Sequence, residues 1–431
     1  MQRIAIGLVG WGTVGGGVIE LLQRDSARLR DRCGLDFHLK TVVTRDPERV
    51  RRQTTEAQVS TAITAITEDP EIVAVLHLVG GTTEAKELLL ACLRAGKPVV
   101  TANKALIAEH WDELFPVAAE HGVSIAFEAA VAGSIPIIGA LRDGLVANRI
   151  DGIQAILNGT CNYILTQMEQ IGSTFDESLT EAQELGYAEA DPTLDVDGTD
   201  TAHKLAILAR IVGMGPVDFD CISVEGIQRV TAEDIASAKR LHCRIKLLAH
   251  ARQREDHEGL ELHVAPTLVS LDHPLAAVGD NYNAVHIEAD AAGPTLLVGQ
   301  GAGAHPTASA VLADLVDIAT GRYRETASRF KFFQDGEPVV HVPENEEISA
   351  SYARFRVADR PGVLAQLTRH LGEAGVSILS IVQPESATED GIASVEITTH
   401  PCRGADFFNA VRAIEAAGLT DEPVVVWRRL D

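Results

Sequence analysis

The sequence predicts an α/β protein made of three successive units, and three patterns along the chain support this prediction. Residues 1–133 alternate short apolar runs with helix-like segments, which is typical of a parallel sheet covered by helices on both faces. Residues 134–302 change to long helical segments followed by strand-like stretches, which predicts an α+β unit. Residues 351–431 follow the order β-α-β-β-α-β, which predicts a ferredoxin-like unit.

The first unit begins with the strand-like run RIAIGLV and then the glycine turn Gly10-x-Gly12-x-x-Gly15, which leads into a helix. In this context the motif predicts a Rossmann-type nucleotide-binding domain. Gly10 permits the tight turn, Gly12 admits a pyrophosphate, and Gly15 lets helix and strand pack closely. We expect a dinucleotide cofactor to contact Gly10, Gly12, Thr13, Val14 and Gly15. The alternative is a packing turn that binds no ligand.

The end of the second predicted strand bears on the choice of nicotinamide cofactor. A carboxylate there would bind the ribose 2′-hydroxyl, whereas an arginine would accept a 2′-phosphate. The stretch VVTRDPERVRR places Arg45 at the strand end, with Asp46 next to it. We therefore expect NADP(H) to be preferred, with NAD(H) possible. The alternative is that these basic residues are merely solvated and that the pocket does not distinguish between the two cofactors.

A lysine follows a later strand of the same unit. The stretch VVTANKALI puts Lys104 just beyond the carboxyl edge of the predicted sheet, where folds of this class bind ligands. Lysines at strand ends are also often merely solvated, so position alone leaves both interpretations open.

Residues 186–204, GYAEADPTLDVDGTDTAHK, contain five carboxylates ahead of one lysine, Lys204. A calcium-binding EF-hand loop is excluded, because Gly198 at loop position six would put Thr193 and Lys204 at the two ends. Asp200 and Lys204 lie four residues apart at the start of a predicted helix and so share one face. The acids could be helix caps and turn formers. Alternatively, they bind the ammonium group of a substrate while Lys204 passes a proton to a neighbouring oxygen.

Beyond the second unit, the glycine cluster at 299–303 leads into an amphipathic helix, and we expect about 303–340 to complete the first unit. Residues 341–350 are acidic and contain a proline, which predicts a linker. In the strand-like ARFRV that follows, apolar side chains alternate with Arg354 and Arg356. We expect the two arginines to lie on the face opposite the core.

The composition, with 46% hydrophobic and 23% charged residues over 431 positions, is that of a globular protein. The net charge of −24 disfavours non-specific binding to nucleic acid. No apolar run approaches the roughly 20 residues of a membrane helix, and the first residues do not resemble a signal peptide. The six cysteines form no CxxC pair, which argues against a disulfide framework or a structural zinc site. We expect a cytoplasmic enzyme.

Several of these motifs together resemble the homoserine dehydrogenase family along nearly the whole chain: the glycine turn, TANK, FEAAVAGSIPII, NGTCNYIL, the 186–204 stretch and GAGAHPTASAV. The resemblance implies reduction of aspartate 4-semialdehyde to homoserine with NAD(P)H, a step towards threonine, isoleucine and methionine. It implies that residues 134–302 form the substrate-binding catalytic domain. No aspartokinase region is present in the sequence, so the chain resembles the monofunctional type.

The same resemblance implies roles for individual residues. Lys104 and Lys204 would be the catalytic lysines, with Lys204 the proton donor and Lys104 also at the cofactor. Glu189, Asp195 and Asp200 would bind the amino-acid substrate, whose ammonium group the acids would face. Both lysines and all three acids are present, which argues against a cofactor-bound amino-acid sensor without this activity. Another NADP-linked dehydrogenase of amino acids or semialdehydes is a further alternative.

Two further expectations come from the resemblance. Family members bind a monovalent cation, usually sodium, and here the ligands would be the Glu128 carboxylate and the carbonyls of Val131, Gly133 and Ile135. The unit at 351–431 resembles an ACT domain, a small amino-acid-sensing module, and the natural effector would be threonine. Because ACT units often pair edge to edge, we expect a homodimer or homotetramer. The alternative is a dimerisation module with an empty effector site.

Overall fold

The structure is a computed structural model that describes residues 2–52, 54, 56–213, 215–254, 259–327, 337–384 and 391–431. It confirms the predicted α/β class, with a parallel sheet at the start of the chain and a mixed sheet in the remainder. The predicted completion of the first unit by 303–340 runs through 328–336, which lie outside the described residues.

The first sheet has six strands in the order β3-β2-β1-β4-β5-β6, and every pair is parallel. Its strands are β1 (Gln2–Val9), β2 (Leu35–Val43), β3 (Gln58–Ser60), β4 (Ile72–His77), β5 (Val99–Thr101) and β6 (Ile125–Ala126). The connecting helices are α1 (Thr13–Cys33), α2 (Pro47–Arg51), α3 (Thr64–Thr67), α4 (Thr83–Arg94) and α5 (Lys104–Glu120). The strand order reverses between β1 and β4, and the loops that diverge there open the crevice in which such sheets bind ligands.

The second sheet contains eleven strands among the described residues, and nine of them run in the order β12-β11-β7-β9-β10-β17-β13-β15-β14. Two short strands lie off this path, β8 on β10 and β16 on β13. The strands are β7 (Ile150–Ile156), β8 (Ser223–Val224), β9 (Cys243–Gln253), β10 (Leu260–Ser270), β11 (Tyr282–Ala289), β12 (Gly293–Gln300), β13 (Ile348–Ala358), β14 (Ile378–Val382), β15 (Ile392–Thr399), β16 (Cys402–Arg403) and β17 (Val425–Leu430).

The remaining helices cover this sheet or return to the first one. They are α6 (Ile137–Gly139), α7 (Gly159–Gln170), α8 (Phe175–Glu184), α9 (Thr193–Val196), α10 (Thr199–Gly213), α11 (Ala232–Arg240), α12 (Ala304–Ala319), α13 (Arg322–Ala327), α14 (Val363–Glu373) and α15 (Gly404–Ala416). Short 3₁₀ turns span Glu128–Ala130, Phe219–Cys221 and Pro274–Ala277, and a π turn spans Ala140–Gly144. None of the described helices combines the length and the apolar character needed to cross a membrane.

Helix α12 packs back against the first sheet and lies across α1. The close approach depends on Gly17, because a Cβ there would lie 2.7 Å from the carbonyl oxygen of Ala304. The described part of the 303–340 segment therefore contacts the nucleotide-binding unit, a contact that the amphipathic pattern alone does not reveal.

The C-terminal unit has the predicted β-α-β-β-α-β order, and its sheet is continuous with that of the preceding unit. Strand β17 pairs in parallel with β10, with Leu268 opposite Arg429. Residues 341–350, predicted as a linker, run beside β10, where the N–H of Val342 donates to the carbonyl of Leu260 at 3.0 Å, and then enter β13. The four strands β17, β13, β15 and β14 thus extend one sheet rather than forming a detached body.

The prediction of which face of β13 lies against the core is confirmed. Ala353, Phe355 and Val357 are all buried against α14 and α15. The opposite face is not simply solvated, however, because Arg354 is only 6% exposed and pairs with Asp234 of α11 at 2.8 Å. A period-two pattern identifies the apolar face but does not reveal that a charged partner covers the other one.

Candidate active site

A cavity of about 390 Å³ opens where the loops after β1, β4 and β5 meet the acidic segment before α10. Its lining consists of Val14, Leu78, Val79, Gly80, Gly81, Ala102, Asn103, Lys104, Ala105, Glu189, Asp191, Leu194, Asp195, Asp200 and His203. Two larger cavities, of about 770 and 670 Å³, lie where the C-terminal unit joins β10. We assign the site by its chemistry rather than by volume, because the smaller cavity brings the glycine turn and the acids together.

The wall nearest the first sheet is shaped by glycines. Gly10 has a φ of +92°, and a Cβ on it would lie 2.6 Å from the carbonyl oxygen of Leu78. A Cβ on Gly15 would lie 2.9 Å from the carbonyl oxygen of Gly10, whereas one on Gly12 would meet nothing within 4 Å. Two glycines therefore allow the turn to pack, and the third leaves free space above it.

The free space lies at the start of α1, whose N-cap residue is Gly12 and which has no side-chain cap. Uncapped N–H groups at a helix start attract phosphate, because they carry the positive end of the helix dipole. Thr13 and Val14 form the first positions of this helix, and Val14 lines the cavity. The arrangement fits a dinucleotide whose pyrophosphate lies on the turn.

Arg45 and Asp46 follow β2 on the same side of the sheet. The carboxylate of Asp46 accepts from the N–H of Arg49 at 3.1 Å and caps α2. The side chain of Arg45 is 87% exposed, and its Nη1 lies 3.8 Å from Glu84 Oε2. The acid is thus held in a cap, while the guanidinium stands at the strand end in reach of a ligand.

Lys104 is brought to the cavity by the N-cap of α5. Asn103 Oδ1 accepts from the N–H of Leu106, and its Nδ2 donates to the carbonyls of Val79 at 2.9 Å and Gly81 at 2.7 Å. This ties the loop after β4 to the start of α5, where Lys104 is the first residue. The Nζ of Lys104 lies 2.8 Å from Asp200 Oδ1 on the opposite wall.

Asp200 and Lys204 share one face of α10, as their spacing predicts. Lys204 Nζ donates to Asp200 Oδ2 at 2.7 Å and to the carbonyl of Leu157 at 2.7 Å. Asp200 lines the cavity, whereas Lys204 lies directly behind it and is 9% exposed. One carboxylate therefore joins two lysines that come from different units of the chain.

The surroundings act differently on the three charges. Burial lowers the pKa of Lys204, and the attraction of Asp200 only partly opposes this. Burial also lowers the pKa of Lys104, but Asp200 outweighs it, so the pKa of this lysine lies above its usual value. Burial raises the pKa of Asp200, but the two lysines outweigh it and hold that pKa well below its usual range.

The remaining acids of the segment divide into two groups. Asp191 accepts from the N–H of Thr193 at 3.2 Å, and Asp197 accepts from the N–H of Thr199 at 2.8 Å, so both form turns. Glu189 and Asp195 line the cavity beside Asp200. Burial and the charge of Asp200 raise the pKa of Asp195. Asp191 also lines the cavity, so the two interpretations of the acid-rich sequence overlap at this residue.

Sequence reasoning missed two polar residues at this side of the cavity, one that contacts the acids and one that lines the cavity. Asn158 donates to Asp195 Oδ1 at 2.7 Å and to Asp200 Oδ2 at 2.8 Å. His203 lines the cavity, and its Nε2 lies 3.4 Å from Glu109 Oε1 across the contact between α10 and α5. Asn158 could have been noticed as an N-cap residue ahead of α7, but nothing local in the sequence links it to acids some 40 positions later.

The residues predicted to hold a cation lie outside this cavity. The buried carboxylate of Glu128 accepts from the N–H groups of Ile138 and Gly139 at 2.8 Å each, and burial raises the pKa of Glu128 to about 7. Ala132 and Gly133 have φ values of +56° and +58°, which turn successive carbonyls of the loop. Both oxygens of the Glu128 carboxylate therefore already accept backbone N–H groups.

The other predicted ligands have their own constraints. A Cβ on Gly133 would lie 2.4 Å from the carbonyl oxygen of Gly301, so this glycine is needed for the loop to approach β12. The carbonyl of Ile135 accepts from the N–H of Ile137 at 2.8 Å, and the carbonyl of Val131 belongs to the same turn. Among the described residues, no group of three or more His, Cys, Asp or Glu side chains could hold a metal ion.

Comparison with known proteins gives one consistent result along the chain. Residues 136–316 match the family described as Homoserine dehydrogenase. Residues 10–128 match the one described as Homoserine dehydrogenase, NAD binding domain, and residues 351–418 match the ACT domain.

Individual relatives agree with these matches. A homoserine dehydrogenase of Pseudomonas aeruginosa is 43% identical over 99% of this chain and 98% of its own. The crystal structure of a homoserine dehydrogenase from Thiobacillus denitrificans has a TM-score of 0.92 at 41% identity, over 100% of this chain and 99% of that one. A hyperthermophilic archaeal homoserine dehydrogenase mutant in complex with NADPH has a TM-score of 0.62 at 27% identity, over 74% of this chain and 98% of that one.

Proposed function

This chain belongs to the homoserine dehydrogenase family, a family of oxidoreductases, and on that premise we propose that the cavity between the glycine turn and the acidic segment is its active site. The reaction is the reduction of aspartate 4-semialdehyde to homoserine. One observation carries the assignment of the site: Asp200 contacts Lys104 at 2.8 Å and Lys204 at 2.7 Å, and so joins the cofactor side to the substrate side.

The acids of the cavity bind the ammonium group of the substrate. Glu189, Asp195 and Asp200 line one wall, and together they present negative charge to a zwitterion. The bound nicotinamide supplies a hydride to the aldehyde carbon. The aldehyde oxygen then takes a proton, and a lysine whose pKa is lowered by burial is suited to donate it.

The two lysines divide the remaining work. Lys204, with its lowered pKa, is the proton donor, and Asp200 holds its Nζ just behind the cavity wall. Lys104, whose pKa is raised, stays charged at the cavity surface, where it lies between the cofactor side and Asp200. Gly10, Gly12, Thr13, Val14 and Gly15 hold the dinucleotide.

The preferred cofactor in this proposal is NADPH. Arg45 stands exposed at the end of β2, and the neighbouring Asp46 is occupied in the cap of α2. A 2′-phosphate would therefore meet a guanidinium rather than a free carboxylate. The archaeal relative was solved with NADPH, which is in line with this preference.

A monovalent cation, sodium, is the second proposed ligand of the protein. Glu128 would supply the carboxylate, and Val131, Gly133 and Ile135 would supply carbonyl oxygens. The proposal is supported by the buried position of Glu128, since burial raises the pKa of this carboxylate and a bound cation would stabilise its charged form. The ion would hold the loop that connects the first sheet to the catalytic unit.

The ACT unit is proposed to bind threonine as a feedback inhibitor. Gly362 has a φ of +90° and begins α14 directly after the turn that follows β13, so backbone is accessible to a small ligand there. The pairing of β17 with β10 provides a continuous sheet through which binding can affect the catalytic unit. Edge strand β14 leaves Leu379 and Ile381 exposed, which suits pairing with a second copy in a homodimer or homotetramer in the cytoplasm.

The proposal is tested by following NADPH and NADH oxidation with aspartate 4-semialdehyde, with and without threonine and with sodium replaced by choline. We expect turnover with both cofactors, a lower KM for NADPH, inhibition by threonine and lower activity without sodium. Absence of turnover with this substrate would overturn the proposal. Equal KM values for NADPH and NADH would contradict only the cofactor preference. Lack of inhibition by threonine would contradict only the effector proposal, and equal activity in choline would contradict only the sodium site.

The substrate contact has a matched pair of variants in the same segment. Asp195→Asn removes a charge that lines the cavity and should raise the KM for the semialdehyde. Asp197→Asn changes a turn-forming acid that asparagine can replace, so its KM should remain that of the wild type. An unchanged KM in Asp195→Asn would exclude the ammonium contact.

A further inference from the structure

Asn158 lies between two acids of the acidic segment, Asp195, which is half-buried, and Asp200, which is buried. Its Nδ2 donates one hydrogen to Asp195 Oδ1 at 2.7 Å and the other to Asp200 Oδ2 at 2.8 Å. Its Oδ1 accepts from the N–H of Cys161 at 2.8 Å. The amide orientation is fixed by this chemistry, because the reverse orientation would set an oxygen against two carboxylates and an NH₂ against an N–H.

The two acids differ in what else they contact. Asp200 is reached by both Lys104 and Lys204. For Asp195, the side-chain hydrogen bond found among the described residues is the one from Asn158. Two carboxylates side by side repel each other, as the pKa of Asp195, raised by burial and by the charge of Asp200, reflects, and a neutral amide can donate to both without adding a charge.

We propose that Asn158 is a positioning residue for the reduction, which holds Asp195 and Asp200 together as a pair of anions so that the ammonium group of the substrate binds between them. This inference rests on the proposed function of the cavity. Asn158 acts through the two acids, since it does not itself line the cavity.

A purely structural role for Asn158 must be separated from this one, because the residue is also the N-cap of α7. Serine and aspartate are equally good N-cap residues, since each offers an oxygen to the free N–H groups. Serine has a single short donor that cannot span two carboxylates, and ionised aspartate has no donor at all. Asn158→Ser and Asn158→Asp therefore keep the cap and remove the bridge.

The experiment measures kcat and KM for the semialdehyde across pH in the full-length protein. We expect kcat/KM to fall about 100-fold in Asn158→Asp at neutral pH, as for a misplaced reacting group, with most of the change in KM. In Asn158→Ser the acid limb of kcat/KM should move up by about one pH unit, because a hydrogen bond to the charged form has been lost.

The aspartate variant should also show an inverse pH effect. On acidification its new carboxyl group takes up a proton, loses the charge that repels Asp195 and Asp200 and can donate to one of them, so its kcat/KM relative to the wild type should rise. A residue that only caps a helix would produce neither this rise nor a displaced acid limb.

Thr231→Ala is the matched control, because Thr231 is the exposed N-cap of α11 and lies away from the cavity. It should lower the melting temperature without changing kcat/KM. If both cap-preserving variants match the wild type in kcat/KM and in pH profile, the positioning role is excluded. If instead the wild type itself does not turn over the semialdehyde, the proposed function fails first.

Discussion

The cavity has two walls that differ in what forms them. We call the glycine turn of residues 10–15 the cofactor wall, and the acids Glu189, Asp195 and Asp200 with Lys204 behind them the substrate wall. The cofactor wall is made of backbone, since a Cβ on Gly10 or Gly15 would collide with a neighbouring carbonyl oxygen, whereas a Cβ on Gly12 would enter free space, where we propose that the cofactor binds. The substrate wall is made of charge, since Asp200 and Lys204 are buried and bonded to each other. We therefore expect the cofactor wall to lose function when a substitution adds side-chain atoms to a glycine. We expect the substrate wall to lose function when a substitution removes one of the charged side chains.

The walls also treat buried ionisable groups in opposite ways. His77, at the end of β4 behind the cofactor wall, is fully buried, and burial lowers its pKa to about 4. Asp200 is almost as buried, yet the lysines hold its pKa well below its usual range. Burial without an opposite charge keeps a group neutral, whereas burial against two opposite charges keeps it ionised.

The largest effect is expected on the substrate wall. Lys204→Ala should lower kcat by about 100- to 10,000-fold, the range for a lost general acid, with little change in the KM for the semialdehyde. Lys204→Arg is the matched control, because arginine keeps the positive charge but cannot release its proton. A kcat within about tenfold of the wild type in Lys204→Ala, or an active Lys204→Arg, would contradict proton transfer.

The second effect is on stability and belongs to the cofactor wall. Because the pKa of His77 is lowered to about 4 in the folded protein, the unfolded state binds the proton more readily between that value and 6.5. The stabilising contribution is complete above pH 6.5 and is lost as the pH falls, by about 3 kcal/mol in all.

Denaturant unfolding from pH 7 to 4.5 measures this contribution. His77→Leu keeps the site apolar and should show a flatter dependence of the free energy of unfolding on pH than the wild type. Equal slopes in the two proteins would mean that other buried groups, such as His263, whose pKa burial also lowers, account for the acid sensitivity.

The difference between the walls also explains what the sequence could predict. The glycine turn and the strand-end position of Lys104 follow local rules, so the fold class and the cofactor side were accessible from sequence patterns. The spacing of Asp200 and Lys204 was likewise sufficient to place them on one helical face. In contrast, no local pattern indicates that Asn158 bridges two acids, because the three residues meet only after α7 and α10 have each packed against α9.

Charge on the outer face of a strand was similarly inaccessible. The alternation places Arg354 on the face opposite the core, but it does not show that α11 covers this side chain and supplies Asp234. The predicted linker also gave no sign that β17 would extend the catalytic sheet through β10. Pairing between strands more than 150 residues apart depends on tertiary contacts and not on the alternation within either strand.

The third effect tests the claim that the cofactor wall is sensitive to added atoms. Gly12→Ala places a methyl group in free space, so the protein should fold normally while the KM for NADPH rises about 30-fold, the equivalent of about 2 kcal/mol of steric cost. Gly10→Ala is the contrasting variant, because its Cβ would collide with Leu78 and its φ of +92° disfavours alanine. It should lower the melting temperature, and a Gly12→Ala protein with an unchanged KM would contradict close approach of the cofactor.

The smallest effect concerns Arg45, the charged residue proposed to contact the 2′-phosphate of the cofactor. Arg45→Ala should raise the KM for NADPH about fivefold and leave that for NADH unchanged, since a side chain that is 87% exposed contributes only about 1 kcal/mol to an ion pair. Arg24→Ala, an exposed arginine of α1 paired with Asp25, is the control and should change neither value. The fivefold effect should shrink as salt is added, because the contact is screened by solvent ions. If Arg45→Ala loses the preference for NADPH to the same extent at low and high salt, shape and not the charge of Arg45 selects the 2′-phosphate. The cofactor wall would then act through its backbone and its shape alone, and charge would act only on the substrate wall.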